Sequence, residues 1–133
     1  MTPYQHTPGG PLAGMHAAMR WQPQVRWFFL PCDTPLLNAE ALAWLAEQAR
    51  PGIWAVQPRL AARAAVEPLP GWYDFRAAPL LERVRGPSGV AGSARVLSPV
   101  VPPELAPAFR DCDTPAELRR LQVGASVPTR PPR

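Results

Sequence analysis

The sequence predicts an α/β fold, and three observations carry that expectation. Short apolar runs bounded by proline or glycine alternate with segments whose apolar residues recur at helical spacing. One run, Trp27-Phe28-Phe29-Leu30, passes through Pro31 and Cys32 into Asp33, followed by a Thr-Pro pair and a helix-like segment. Thr114-Pro115-Ala116-Glu117 is a capping box with proline at the first helical position. Strands alternating with helices predict a parallel sheet. In such sheets ligands bind beyond the carboxyl ends of the strands, where Asp33 would sit.

Taken in order, Met1–Pro8 is polar and turn-like, and Gly9-Gly10-Pro11 breaks the chain before a helix over Leu12–Arg20. Leu12, Met15 and Met19 share one face of that helix. Val25–Leu30 is apolar enough to be a buried strand. Asn38–Arg50 places Leu42, Leu45 and Ala49 at helical spacing, with Asn38 as cap and Pro51-Gly52 as stop. Ile53–Gln57 reads as a short strand, Leu60–Ala65 as a loop or short helix, and Leu69–Tyr73 as extended. A short helix over Pro79–Arg85 closes at Gly86. A flexible loop (Pro87–Ser93), a strand (Ala94–Val100) and a final helix (Pro115–Gln122) complete the reading. The expected organisation is an irregular stretch at 1–8, one domain over 9–123 and a disordered Pro/Arg tail at 124–133.

Composition narrows the function classes. The 133 residues suffice for one domain with a core. All 14 basic residues are arginine, and the net charge is +4. The arginines are scattered and do not form a stripe interleaved with aromatics, which argues against nucleic acid as the partner. Arginine does match phosphate bidentately, so an anionic small ligand is compatible. The 20 prolines are about three times the usual share of roughly 5% and punctuate the chain without repeating. Two cysteines are too few for a disulfide framework, and no signal peptide or long apolar span is visible. A reduced, cytoplasmic protein without membrane contact is the expectation.

Few residues stand out chemically. Asp33, taken alone, reads equally well as a turn aspartate and as a carboxylate holding magnesium against a nucleotide's phosphates. Gly10-Pro11-Leu12-Ala13-Gly14 has small residues flanking a helix entry, which would let a base or phosphate approach the backbone. A tightly packed helix start explains it as well. Cys-Asp-Thr-Pro recurs at 112–115, where helix capping is the better reading. His16 flanks the apolar face of its helix and reads as structural. Cys32 abuts Asp33, a poor setting for a thiolate nucleophile.

Four segments in order resemble the molybdenum cofactor guanylyltransferase family. They are Gly10–Gly14, Leu30–Pro35, Glu67-Pro68-Leu69-Pro70-Gly71-Trp72-Tyr73, and Asp111-Cys112-Asp113-Thr114-Pro115-Ala116-Glu117-Leu118. The resemblance implies a Rossmann-like, three-layer nucleotidyltransferase sheet. It implies transfer of GMP from GTP to the molybdopterin cofactor with release of pyrophosphate. Asp33 matches the family aspartate that binds Mg2+ and contacts the nucleotide, and Gly10, Pro11, Leu12, Ala13 and Gly14 would lie near the nucleotide pocket. The family's first strand and its glycine-rich, lysine-bearing phosphate loop have no counterpart before Gly10. The expectation is therefore a partial sheet in which Val25–Leu30 has an unpaired edge open to self-association. Two other readings remain open: a non-catalytic interaction module, and a transferase using CTP or a sugar phosphate.

Overall fold

The computed structural model describes residues 10–112, 114–117 and 119–120. The irregular start at 1–8, the tail at 124–133, Asp113 and the end of the last expected helix lie outside the described residues. Helix α1 (Pro11–Trp21) opens the described chain. Its N-cap, Gly10, has φ +66°, a left-handed conformation that favours glycine. Leu12, Met15 and Met19 are buried along one face, as the spacing predicts. Helix α2 (Ala39–Glu47) is capped by Asn38, whose side-chain oxygen accepts from the Ala41 amide at 2.9 Å.

The sheet has four short strands: β1 (Trp27–Phe29), β2 (Ala55–Val56), β3 (Gly71–Tyr73) and β4 (Val96–Leu97). Their spatial order is β1-β3-β2-β4. β3 runs antiparallel to both β1 and β2, whereas β2 and β4 are parallel. The sheet is therefore mixed, which corrects the expectation of a parallel one. The reason lies in the connection from β2 to β3. Leu60–Ala65 forms bends and turns, and no helix carries the chain back to the starting end of the sheet. A crossover needs such an element; without it the chain re-enters from the end it has just left. An antiparallel bridge between Arg59 and Val66 marks the reversal.

Other elements are shorter than their apolar runs. Ala94–Val100 contributes two strand residues, although a parallel bridge from Arg59 to Val100 continues the pairing. The helix expected over Pro79–Arg85 is α3 (Ala78–Leu81), entered through a 3-10 turn at Phe75–Ala77. Pro87–Ser93 holds a 3-10 turn at Pro87–Val90 whose end residues are buried, so it is part of the packing and not a free loop. Helix α4 (Ala106–Phe109) follows β4. At the expected capping box the Glu117 amide donates to Thr114 Oγ1 at 3.1 Å; in the return bond Glu117 Oε1 accepts from the Thr114 hydroxyl, at 3.1 Å, in place of the Thr114 amide.

Two buried clusters sandwich the sheet. One joins α1, Ala55, Tyr73, Leu81 and Val96; the other joins α2, Val56, Trp72 and Phe109. Adjacent residues of β2 and of β3 thus supply opposite layers, as strand pleating requires. No helix among the described residues is long and apolar enough to cross a membrane.

Candidate functional site

β1, β2 and β4 point the same way, so their carboxyl ends share one rim of the sheet with the entry into β3. A cleft of about 630 Å³ opens on this rim beyond β1. Pro11, Gly14 and Met15 of α1 line it, together with Leu30–Thr34, Glu67–Leu69, Phe109 and Asp111. The helix entry and the Pro-Cys-Asp-Thr turn, 20 residues apart in sequence, therefore face the same space. Gly14 is exposed, and a Cβ built there meets no atom within 4 Å. The missing side chain leaves room in the cleft and is not a packing requirement.

The predicted site residues divide. Pro11, Gly14 and Asp33 line the cleft. Leu12 is fully buried, and its side chain belongs to the core. Gly10 caps the helix, and Ala13 is half-buried outside the lining. His16 Nε2 lies 3.1 Å from the Leu81 carbonyl oxygen, a bond between helices that fits a structural role.

Asp33 is half-buried, and its carboxylate makes no hydrogen bond or ion pair among the described residues. Its backbone oxygen accepts from the Cys112 amide at 2.8 Å. That bond ties the first Cys-Asp-Thr-Pro turn to the second and brings Asp111 to the cleft. Thr34 Oγ1 beside it is buried without a partner, an uncompensated polar atom of the kind a ligand can satisfy.

Glu67 and Asp111 are acids of the cleft that sequence reasoning did not single out, although both stood within its quoted motifs. Burial raises the Glu67 pKa above the ordinary carboxylate value, and the nearby charges of Asp111 and Asp33 raise it further. Among the described residues, every charged one lining this cleft is acidic: Asp33, Glu67 and Asp111. Among the described residues, however, no three acidic, His or Cys side chains converge closely enough to cage a metal by themselves. A hard cation that keeps several waters and shares itself with phosphates needs only one or two carboxylates. The donor set suits Mg2+ held jointly with a nucleotide.

The Glu67–Pro70 wall is braced from behind. Tyr73 is fully buried and its hydroxyl donates to the Pro68 carbonyl at 2.6 Å. Gln57 Nε2 donates to the Tyr73 hydroxyl at 3.0 Å and to the Pro87 carbonyl at 2.8 Å. Burial holds the Tyr73 phenol well above its usual pKa, so it remains a donor across the physiological range. Gly71 is obligatory here, because a Cβ would collide with the Pro68 carbonyl and the Tyr73 ring.

The cleft lies beyond the carboxyl end of β1, where open α/β sheets bind their ligands. Residues 1–116 match the MobA-like NTP transferase domain. The chain belongs to this family. No match is found among curated proteins. As a MobA-like NTP transferase domain it has a Rossmann-like α/β fold, and the family's chemistry is nucleotidyl transfer from a bound nucleotide.

Proposed function

We propose that this MobA-like domain transfers GMP from GTP to the molybdopterin cofactor, using Mg2+. The observation that carries the reading is the single cleft lined by both Gly14 and Asp33, which belong to two of the four segments that resemble molybdenum cofactor guanylyltransferases. In the reaction an oxygen of the acceptor's terminal phosphate attacks the α-phosphorus of GTP. The bond from that phosphorus to the bridging oxygen breaks, and pyrophosphate leaves with the electron pair.

Asp33, with Asp111 or Glu67, would hold the metal, which when bound neutralises charge on the α-phosphate. The chain's own contribution is positional. The Cys112–Asp33 backbone bond fixes the acidic turn, and the small residues of α1 leave space for the base. Free Cys32 and Cys112 are compatible with a reduced, cytoplasmic setting.

Asp33→Asn tests the assignment directly. Mg-GTP affinity by calorimetry should fall on the order of a hundredfold, the equivalent of ~3 kcal/mol for a lost charged ligand. Unchanged affinity would remove Asp33 from the site. Competition among the four nucleotides separates GTP use from CTP or sugar-phosphate chemistry.

A second reading, a non-catalytic interaction module, draws on two observations. No basic side chain lines the acidic cleft among the described residues. Among the described residues β1 is an edge strand; its Phe28 is exposed, as are Trp21, Val25 and Leu30 near it in sequence, which suits self-association through the edge. A strictly monomeric species in light scattering would count against that association.

A further inference from the structure

A second cleft, of about 840 Å³, opens on the same rim beyond β2 and β4. Pro68 lines both clefts, so the Glu67–Pro70 segment is the wall between them. Among the described residues, the only charged one lining the second cleft is Arg59. Its guanidinium is held in place by backbone: Nε donates to the Ser98 carbonyl at 3.0 Å and Nη1 to the Ala62 carbonyl at 2.9 Å. Its main chain is anchored as well, with the Arg59 amide donating to the Pro99 carbonyl and the Val101 amide to the Arg59 carbonyl, both at 2.8 Å. No carboxylate pairs with this arginine among the described residues. Ser98 Oγ, also in the lining, is buried without a partner. A pre-oriented cation with donors to spare, beside an unsatisfied hydroxyl, is a built receptor for an anion. The remaining lining is mostly apolar, with Val66, Pro68, Val96, Leu97 and Pro99.

We propose that the Arg59–Ser98 cleft is the acceptor subsite, taking an organic phosphate whose phosphate meets Arg59 and Ser98 and whose body rests on the apolar wall. The inference rests on the nucleotidyl-transfer reading and extends it to the second substrate. Two substrates of like charge then occupy adjoining clefts of opposite sign. A nucleotide enters the acidic one with its metal, and the acceptor enters the basic one without a metal. Pro68, held by Tyr73, keeps them side by side on the rim where three strands end.

The test uses the full chain in metal-free buffer with EDTA, titrated with phenyl phosphate and, separately, with inorganic phosphate and phenol. Amide and guanidinium NMR resonances report the location of binding. Phenyl phosphate should shift Arg59, Ser98 and Ala64 saturably, and more tightly than either inorganic phosphate or phenol. Arg59→Gln should weaken binding about tenfold or more, as loss of a charge-assisted phosphate pair does. Ser98→Ala removes a hydroxyl with no hydrogen-bond partner among the described residues, so the fold should be retained, and affinity should fall a few-fold. Absence of saturable shifts, shifts confined to the Asp33 cleft, or unchanged affinity in Ser98→Ala together with a folded Arg59→Gln would overturn the subsite. A parallel Mg-GTP titration separates the two ideas. GTP binding without Arg59-dependent phenyl phosphate binding sinks the subsite alone. Phenyl phosphate binding without GTP binding sinks nucleotidyl transfer, and the acceptor role with it.

Discussion

The two clefts on the carboxyl rim differ in almost every respect except position. The first is lined by three carboxylates and closed on one side by α1, which begins at an N-cap that favours glycine. The second carries a single arginine and sits where the chain reverses between β2 and β3. Each contains one orphaned hydroxyl, Thr34 Oγ1 in the first and Ser98 Oγ in the second. Both are open and both are shaped by Pro68, yet their charges are opposite. One short segment thus divides a single rim into two electrostatic compartments. A net charge of +4 gives no hint of it, because the sum hides where the signs lie.

The partition can be broken from the wall outward. Gly71→Ala should have the largest effect on it. The new Cβ forces the Pro68 carbonyl or the Tyr73 ring aside, at a cost of about 3 kcal/mol in urea unfolding, and should alter ligand binding in both clefts. If stability and both affinities are unchanged, Pro68 is not a rigid divider.

Tyr73→Phe is milder. It removes the hydroxyl that holds Pro68 and leaves the Pro68 carbonyl and one Gln57 N–H unsatisfied. About 1.5 kcal/mol of stability should be lost, with the wall loosened but not displaced. Equal stability of the two proteins would show that water replaces the phenol.

Glu67→Gln should give the smallest effect and sharpen the account of the acidic side. Glu67 has a folded-state pKa above its ordinary value of 4.5, so the folded protein binds the proton more tightly than the unfolded chain. Stability should therefore decline as pH rises from about 4.5 through the raised folded pKa, and the variant should lose that decline. Because Glu67 is only partly buried, the change is modest, and Mg2+ with nucleotide should diminish it. A pH profile identical in the two proteins would show that neither burial nor the charges of Asp111 and Asp33 raise the Glu67 pKa in solution.

Much of the fold was legible. The spacing of Leu12, Met15 and Met19, the Asn38 cap and the Thr114–Glu117 box each predict an element from contacts within one or two turns, and these hold. Strand lengths and sheet direction were less so. Ala94–Val100 is apolar along most of its length, yet two of its residues enter a strand, because pairing depends on a neighbour's backbone. The antiparallel course of β3 followed from the missing helix at Leu60–Ala65, a segment whose pattern suits loop and helix equally. At the site, Asp33 was visible because it ends an apolar run. Glu67, Asp111, Arg59 and Ser98 carry no such local mark.

By itself the sequence determined the α/β class, α1 with its apolar face, the Asn38 and Thr114 caps, and the placing of Asp33 just beyond a strand end. Those features arise from residues a few positions apart, where backbone geometry leaves few choices. The tertiary structure alone decided the mixed strand order, the meeting of Asp33 with Glu67 and Asp111 at one cleft, and an Arg59 that forms no ion pair among the described residues. These are encounters between segments far apart in the chain. Their charges act through space, across a wall whose position depends on a buried tyrosine and on a glycine that tolerates no side chain.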